Sequence, residues 1–364
     1  MEQTSVLPSR RDFLKLTVAA ALAAGAPAVA APAGESKIPL GMDNFAVRGF
    51  GWKAAQLLDY AAGLKLDTLF ISDLDSYDSL EEEALREVKA KADGLEIKLY
   101  VGSWSICPTS VRFKRNWGTP DEHIALGLRV AKTLGSPVFR VILGGAEDRK
   151  TPGGIDARID DMVKVLRANR GRILDHGIKI AIENHAGDMQ SRELVRLIEE
   201  AGPDIAGVNI DSGNAAWTLE DPFGVLENLG RYTICSSLRD EQIWEDENGA
   251  VVQWTAMGDG VIDWPAYLAK WRELCPTVPV QIETISGFPR PFPYLQREFW
   301  APYGNARAED FARFVALARK GRKLEPFKAP AGVDKKKADQ DYQKQQLERS
   351  IAFCREKLGL GVRS

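Results

Sequence analysis

The chain has 364 residues, 45% of them hydrophobic and 27% charged, enough apolar material for one large soluble domain or two small ones. Its formal net charge of -3 removes the electrostatic case for nucleic acid, because a phosphate-binding surface needs a marked basic excess. Cys107, Cys235, Cys275 and Cys354 lie far apart with no CxxC pair, so they form no disulfide framework and are expected as buried free thiols.

Residues 1–33 read as an export signal. Ser9-Arg10-Arg11-Asp12-Phe13-Leu14-Lys15 precedes the alanine-rich stretch LTVAAALAAGAPAVA, with small residues at Ala28 and Ala30 suited to a signal peptidase. Paired arginines before a weakly apolar segment resemble a bacterial twin-arginine signal. The run contains Gly25 and Pro27 and is short for a bilayer span, which argues against a stable membrane anchor. The expectation is a periplasmic or secreted protein.

From residue 34 to 322, short apolar runs alternate with amphipathic ones. Strands are expected at 38–44, 67–72, 96–104, 137–145, 178–185, 205–211, 232–240 and 278–284. Helices are expected between and after them, at 52–63, 78–93, 120–134, 156–176, 190–201, 221–229, 264–274 and 307–320. Parallel strands need crossovers of about this length, so the pattern predicts a closed (β/α)8 TIM barrel. Residues 241–262 form an insertion after strand seven, with Asn248-Gly249 as the turn of a hairpin that folds over the mouth. The Pro- and aromatic-rich stretch 286–305 suits an ordered cover or a partner surface. Residues 323–364 read as a linker and a C-terminal helical extension, 338–358, with Leu347, Ile351, Cys354 and Leu358 at helical spacing. That stripe packs on the barrel or, alternatively, joins two subunits of a homo-oligomer.

Active groups of such barrels sit at the carboxyl ends of the strands. Glu183, Asp211, Arg239 and Glu283 each end an apolar run here. Asp211 taken alone is as well explained by helix capping; the two glutamates are poor caps, and function is the better explanation for them. Arg140 lies inside an apolar run and must be paired if it is buried. Trp104, at the end of strand three, serves either as a sugar-stacking wall or as core. His123, on a charged helix start, and His176, at a helix end, are expected at the surface.

The stretches IAIENH, VNIDSGN and VQIETISG on strands five, six and eight, with MGDGVIDW at 257–264, resemble the xylose isomerase-like TIM barrels over about Ile38 to Arg319. The resemblance implies that Glu183, Asp211 and Glu283 are metal ligands. It also makes Glu183 and Glu283 the catalytic pair across the substrate and places His185 beside it. Arg239 should point the same way as Ser237, two residues earlier, and either binds a sugar oxygen or an anionic group or closes a salt bridge within the mouth; Asn214 is expected at the substrate, with Trp104 as its wall and Arg140 behind it. The family usually supplies a fourth ligand, a histidine in a His-x-Lys-Asp segment on strand seven. Here that segment reads Ser237-Leu238-Arg239-Asp240, leaving Ser237 as a weak substitute.

Such an oxygen-rich set suits Mg or Mn ahead of Zn or Co. A polarised keto-sugar with carboxylates on opposite faces undergoes isomerisation or epimerisation by proton transfer. Elimination by a lyase or dehydratase, and sugar binding without turnover, are the alternatives. An endonuclease IV-like activity is excluded, since the chain has only three histidines and no basic face. The expected partner is a small carbohydrate and not a nucleic acid.

Overall fold

The computed structural model describes residues 37–363; the expected export signal, 1–33, lies outside them. Among the described residues eight parallel strands follow one another around a ring: β1 (Leu40–Asp43), β2 (Thr68–Ile71), β3 (Lys98–Gly102), β4 (Val138–Ile142), β5 (Lys179–Glu183), β6 (Ala206–Ile210), β7 (Thr233–Ser236) and β10 (Val280–Ile282). β10 is the eighth barrel strand and pairs with β1. The last gap is closed by a parallel bridge between Leu238 and Ile282, through Leu238 N to Gln281 O at 2.7 Å and Glu283 N to Leu238 O at 2.9 Å. A ring without free edges satisfies the strand donors and acceptors internally.

The outer layer is α1 (Ala54–Gly63), α2 (Glu82–Gly94), α3 (Pro120–Leu134), α4 (Gly154–Ala168), α5 (Arg170–His176), α6 (Ser191–Ala201), α7 (Pro222–Leu229), α8 (Trp264–Leu274) and α9 (Ala308–Ala318). The apolar faces of α1 to α8 and the outward faces of the strands form one continuous core; the apolar residues of α9, Phe314 and Ala318 among them, lie in a second cluster with Ile243, Val252 and Phe292. The helix expected at 156–176 is two, broken at Asn169. The Asn169 amide donates to Val165 O at 3.0 Å and to Asp121 Oδ1 at 2.5 Å, a local side-chain bond that competes with the helical ladder.

The insertion is a hairpin, β8 (Asp240–Asp246) and β9 (Gly249–Thr255), to which β11 (Pro289–Phe292) adds antiparallel. Asp246 pairs with Gly249, so the turn is Glu247-Asn248, one residue earlier than expected. Gly249 opens the second strand, and only glycine fits there, since a Cβ would stand 2.3 Å from Phe292 O. Prolines at the edge, in β11, cost no ladder bond. The expected cover over 286–305 is therefore an edge strand followed by a 3-10 turn at Arg297–Trp300.

The C-terminal helix, α10 (Lys335–Leu358), buries Leu347, Ile351 and Cys354 in the barrel core, with Leu358 packed beside them. All four cysteines are buried and free. Among the described residues no helix is long and apolar enough to cross a membrane.

His123 corrects the surface expectation: it is 1% exposed. It lies on the inner side of the first turn of α3, with Nε2 2.8 Å from Ser103 Oγ. Charged neighbours in sequence disguised a position whose helical phase points inward.

Candidate active site

Three carboxylates meet at the C-terminal mouth of the barrel. Glu183 is the last residue of β5, Asp211 follows β6 and Glu283 follows β10. One oxygen of each lies within 4.8 Å of the others, and the residues are 1%, 0% and 4% exposed. Like charges buried this closely require compensating donors or cations.

Arg140, in β4, supplies part of that compensation. Its Nε donates to Glu183 Oε2 at 2.6 Å, its Nη2 pairs with the same oxygen, and its Nη1 donates to Ser103 O at 3.1 Å. The amides supply more: Asn209 Nδ2 donates to Glu183 Oε2 at 3.1 Å, and Asn214 Nδ2 to Asp211 Oδ2 at 2.7 Å and Glu183 Oε1 at 3.3 Å. Asn184 forms two 2.8 Å bonds with the backbone N–H and C=O of Asp211, mimicking a strand pairing just where the ladder ends. A fourth carboxylate, Asp43 at the end of β1, accepts from Ser72 Oγ at 2.6 Å and Ser237 Oγ at 3.2 Å. Asn209 also donates to Ser237 Oγ at 3.2 Å. The hydroxyl expected as a weak ligand is thus bonded to Asp43 and Asn209.

Arg239 follows β7 by three residues. Its Nη2 contacts Asp211 Oδ2 and donates to Glu283 Oε2 at 2.5 Å. Its guanidinium carbon stands 4.4 Å from the ring centroid of Trp254, whose Nε1 is fixed by Gly213 O at 2.7 Å. Gly213 leaves room for this; a Cβ there would lie 2.4 Å from Arg239 Cγ. Trp254 in turn stacks on Trp217 at 4.4 Å, and Arg290 lies over Trp217 at 4.0 Å. The next residue, Asp240, receives Gly258 N at 2.9 Å, Gly260 N at 3.1 Å and Trp264 Nε1 at 2.8 Å, so MGDGVIDW wraps a structural carboxylate and leads into α8.

His185 points Nδ1 at Gly144 O, 2.7 Å away. A carbonyl only accepts, so Nδ1 carries the hydrogen and Nε2 keeps a lone pair in the neutral ring. Burial pushes its pKa down, against the pull of Glu183. Trp104 meets His185 edge-on at 6.4 Å; its indole N–H bonds Asp73 at 2.7 Å and Lys114 covers its ring at 4.4 Å. It stands half-buried at the rim, with Lys114 over its ring.

Four carboxylates, Asp43, Glu183, Asp211 and Glu283, face two guanidiniums. Burial pushes Asp43, Asp211 and Glu283 above the usual carboxylate range; Arg140 draws Asp43 back, and Arg239 the other two, without cancelling it. These acids outnumber the two guanidiniums, so additional positive charge at the cluster would be favoured. The donors are hard oxygens contributed by three strands, so the residues present fit a divalent cation. A cavity of about 300 Å³ lies next to Glu283 in the chain, lined by Arg48, Thr284, Ser286, Phe288 and Tyr342 among others. Another cavity, about 700 Å³ between Trp244, Pro289 and Arg319, includes none of the triad.

Asp43, Ser72, Asn184 and Asn209 were not singled out from sequence. Asp43 ends the first apolar run as Glu183, Asp211 and Glu283 end theirs, and Asn209 is an amide inside an apolar run; both signals were present.

No curated protein is similar enough in sequence to count as a match. Solved structures are similar in fold. D-psicose 3-epimerase, in the presence of D-fructose, superposes with a TM-score of 0.56 at 14% identity, covering 88% of this chain and 100% of that one. The 3-keto-D-glucoside 4-epimerase YcjR from E. coli gives 0.53 at 13%, covering 78% and 100%. The IOLI protein with a binding zinc atom gives 0.53 at 15%, covering 79% and 100%. Identities this low establish the shared barrel and nothing finer. The family model of the xylose isomerase-like TIM barrel matches residues 58–291, which take in every barrel strand but β1 and all three of Glu183, Asp211 and Glu283, and the chain belongs to that family.

Proposed function

We propose that the protein is a divalent-metal-dependent sugar isomerase or epimerase that moves a proton on a ketose or keto-sugar. The observation that carries this is the convergence of Glu183, Asp211 and Glu283 within 4.8 Å of one another at the mouth of the barrel. The sugar epimerases among the similar structures support the same class. Glu183, Asp211 and Glu283 would hold the cation, which when bound supplies Lewis-acid polarisation of a carbonyl. The oxygen-only donor set favours Mg or Mn, and the zinc of the IOLI structure makes Zn the comparison ion.

The chain's own groups account for the rest. Glu183, fixed by Arg140, Asn209 and Asn214, presents a carboxylate of set orientation to one face of the substrate. Glu283, across the mouth at the end of β10, serves the proton transfer from the other. His185 Nε2 accepts a sugar hydroxyl. The near-complete burial of the triad excludes water from the reacting carbon. If the intermediate expels a leaving group at the neighbouring carbon, the same groups perform an elimination.

The test is exchange of carbon-bound hydrogen for deuterium in a panel of ketoses and keto-sugars in heavy water, with and without Mn²⁺. Exchange requiring both Glu183 and Glu283 is expected, so Glu183→Gln and Glu283→Gln should each lose it while remaining folded. Wild-type exchange in either variant refutes its role.

We also propose export by the twin-arginine route, on the strength of Arg10-Arg11 and the alanine-rich run behind them. Arg10→Lys together with Arg11→Lys should keep the protein in the cytoplasmic fraction; unchanged export would reject the assignment.

A further inference from the structure

Arg239 Nη2 stands between Asp211 Oδ2 and Glu283 Oε2, 2.5 Å from the latter. A divalent cation bound by those two oxygens would lie roughly 2.0–2.6 Å from each. The guanidinium nitrogen therefore stands where a cation bridging this pair would lie. Nor is the arginine built in as a finished ion pair. Arg239 is 2% exposed, yet its Nε and Nη1 have no hydrogen-bond acceptor among the described residues. The large majority of buried side-chain polar atoms have a hydrogen-bond partner, so two unpaired nitrogens on one buried guanidinium stand out. This one is held by Nη2 and by the face of Trp254. On the same strand, Ser237 is bonded to Asp43 and Asn209, so strand seven brings the triad a cation and no strong ligand.

We propose that Arg239 is a tethered cation that competes with the divalent ion for the Asp211–Glu283 pair, so that metal loading requires the guanidinium to withdraw and Arg239 sets the metal affinity of the site. The proposal deepens the metal-dependent reading above. It makes binding weak and reversible where the triad alone would bind tightly. Withdrawal carries the unpaired Nε–H and Nη1–H donors with it, leaving them free to meet substrate oxygens.

The experiment uses the full chain and Mn²⁺ alone, with free ion measured by electron paramagnetic resonance. Arg239→Gln is expected to bind Mn²⁺ at least tenfold more tightly than wild type, and to gain more thermal stability from it. Equal or weaker binding in the variant, or no binding in either form, overturns the proposal. The unaltered protein gives a second readout that does not depend on the variant folding. Titration with Mg²⁺ should change tryptophan emission as the guanidinium leaves Trp254, and Trp254→Phe should lose that change. Saturable Mg²⁺ binding without it contradicts displacement, and so does the absence of binding. Tighter Mn²⁺ binding in Arg239→Gln with no proton exchange in any sugar would leave this inference standing and reject the proposed function. Metal-dependent exchange with unaltered affinity in the variant would do the reverse.

Discussion

Two arginines face the same carboxylate cluster and are built to different standards. Arg140 reaches Glu183 through Nε and Nη2 and Ser103 O through Nη1, so each nitrogen has an acceptor. Arg239 touches Asp211 and Glu283 through Nη2 alone. The difference teaches that burial and charge do not by themselves define a structural ion pair; the state of the remaining donors does. The β4–β5 side of the mouth is a fixed brace. On the β7–β10 side the positive charge is positioned to exchange.

The largest effect should come from breaking the brace. Arg140→Met leaves Glu183 buried without its cation, which costs about 3–5 kcal/mol. Urea denaturation should show this loss, and because Glu183 is itself one of the three carboxylates that would hold the ion, added Mn²⁺ should restore only part of it. Arg239→Gln should lose less than Arg140→Met and recover most of it with Mn²⁺, which is the comparison in one pair of curves. Equal losses with equal rescue would erase the distinction.

Acid tests the brace from behind. Ser103 O accepts from Arg140 while its hydroxyl meets His123 Nε2, and burial pushes the His123 pKa from 6.5 down to about 4. The imidazole is therefore neutral in the fold while the unfolded chain takes up a proton near pH 6.5. Its contribution is present above that pH and is lost as pH falls toward 4, to a limit of about 3 kcal/mol. His123→Gln should flatten this part of the stability profile between pH 6.5 and 4. An unchanged slope would remove His123 from the account.

A smaller effect belongs to Asn184→Ala. It removes both bonds that hold the Asp211 backbone, at about 1–3 kcal/mol for groups left buried and unpaired, and it should weaken Mn²⁺ binding through Asp211 without touching a ligand. Wild-type affinity and stability would show that Asn184 is dispensable.

Much of this was legible in the sequence because barrel strands announce themselves as apolar runs and the mouth residues as acids where those runs stop. That Glu183, Asp211 and Glu283 share one mouth followed from those run ends and from the family resemblance, and the missing histidine at Ser237 was visible as a letter out of pattern. What Arg239 does was not legible, because its partners lie 28 and 44 residues away and only closure of the ring brings them to one nitrogen. Asn184 was hidden for a related reason: its amide serves a backbone on the neighbouring strand, and no side-chain motif records that. The surface expectation for His123 failed because the charges of Asp121 and Glu122, which belong to the first turn of α3, say nothing about the phase of the next residue. The break at Asn169 was masked by a periodicity that runs unbroken across it, while the amide bonds that cause it are local.

The most direct measurement of the central claim is anomalous diffraction from crystals equilibrated with Mn²⁺. One peak is predicted per chain, within roughly 2.0–2.6 Å of oxygens from Glu183, Asp211 and Glu283, with the Arg239 guanidinium moved off the Asp211–Glu283 pair. A guanidinium still bridging that pair at saturating Mn²⁺, with no peak among the three carboxylates, would contradict it.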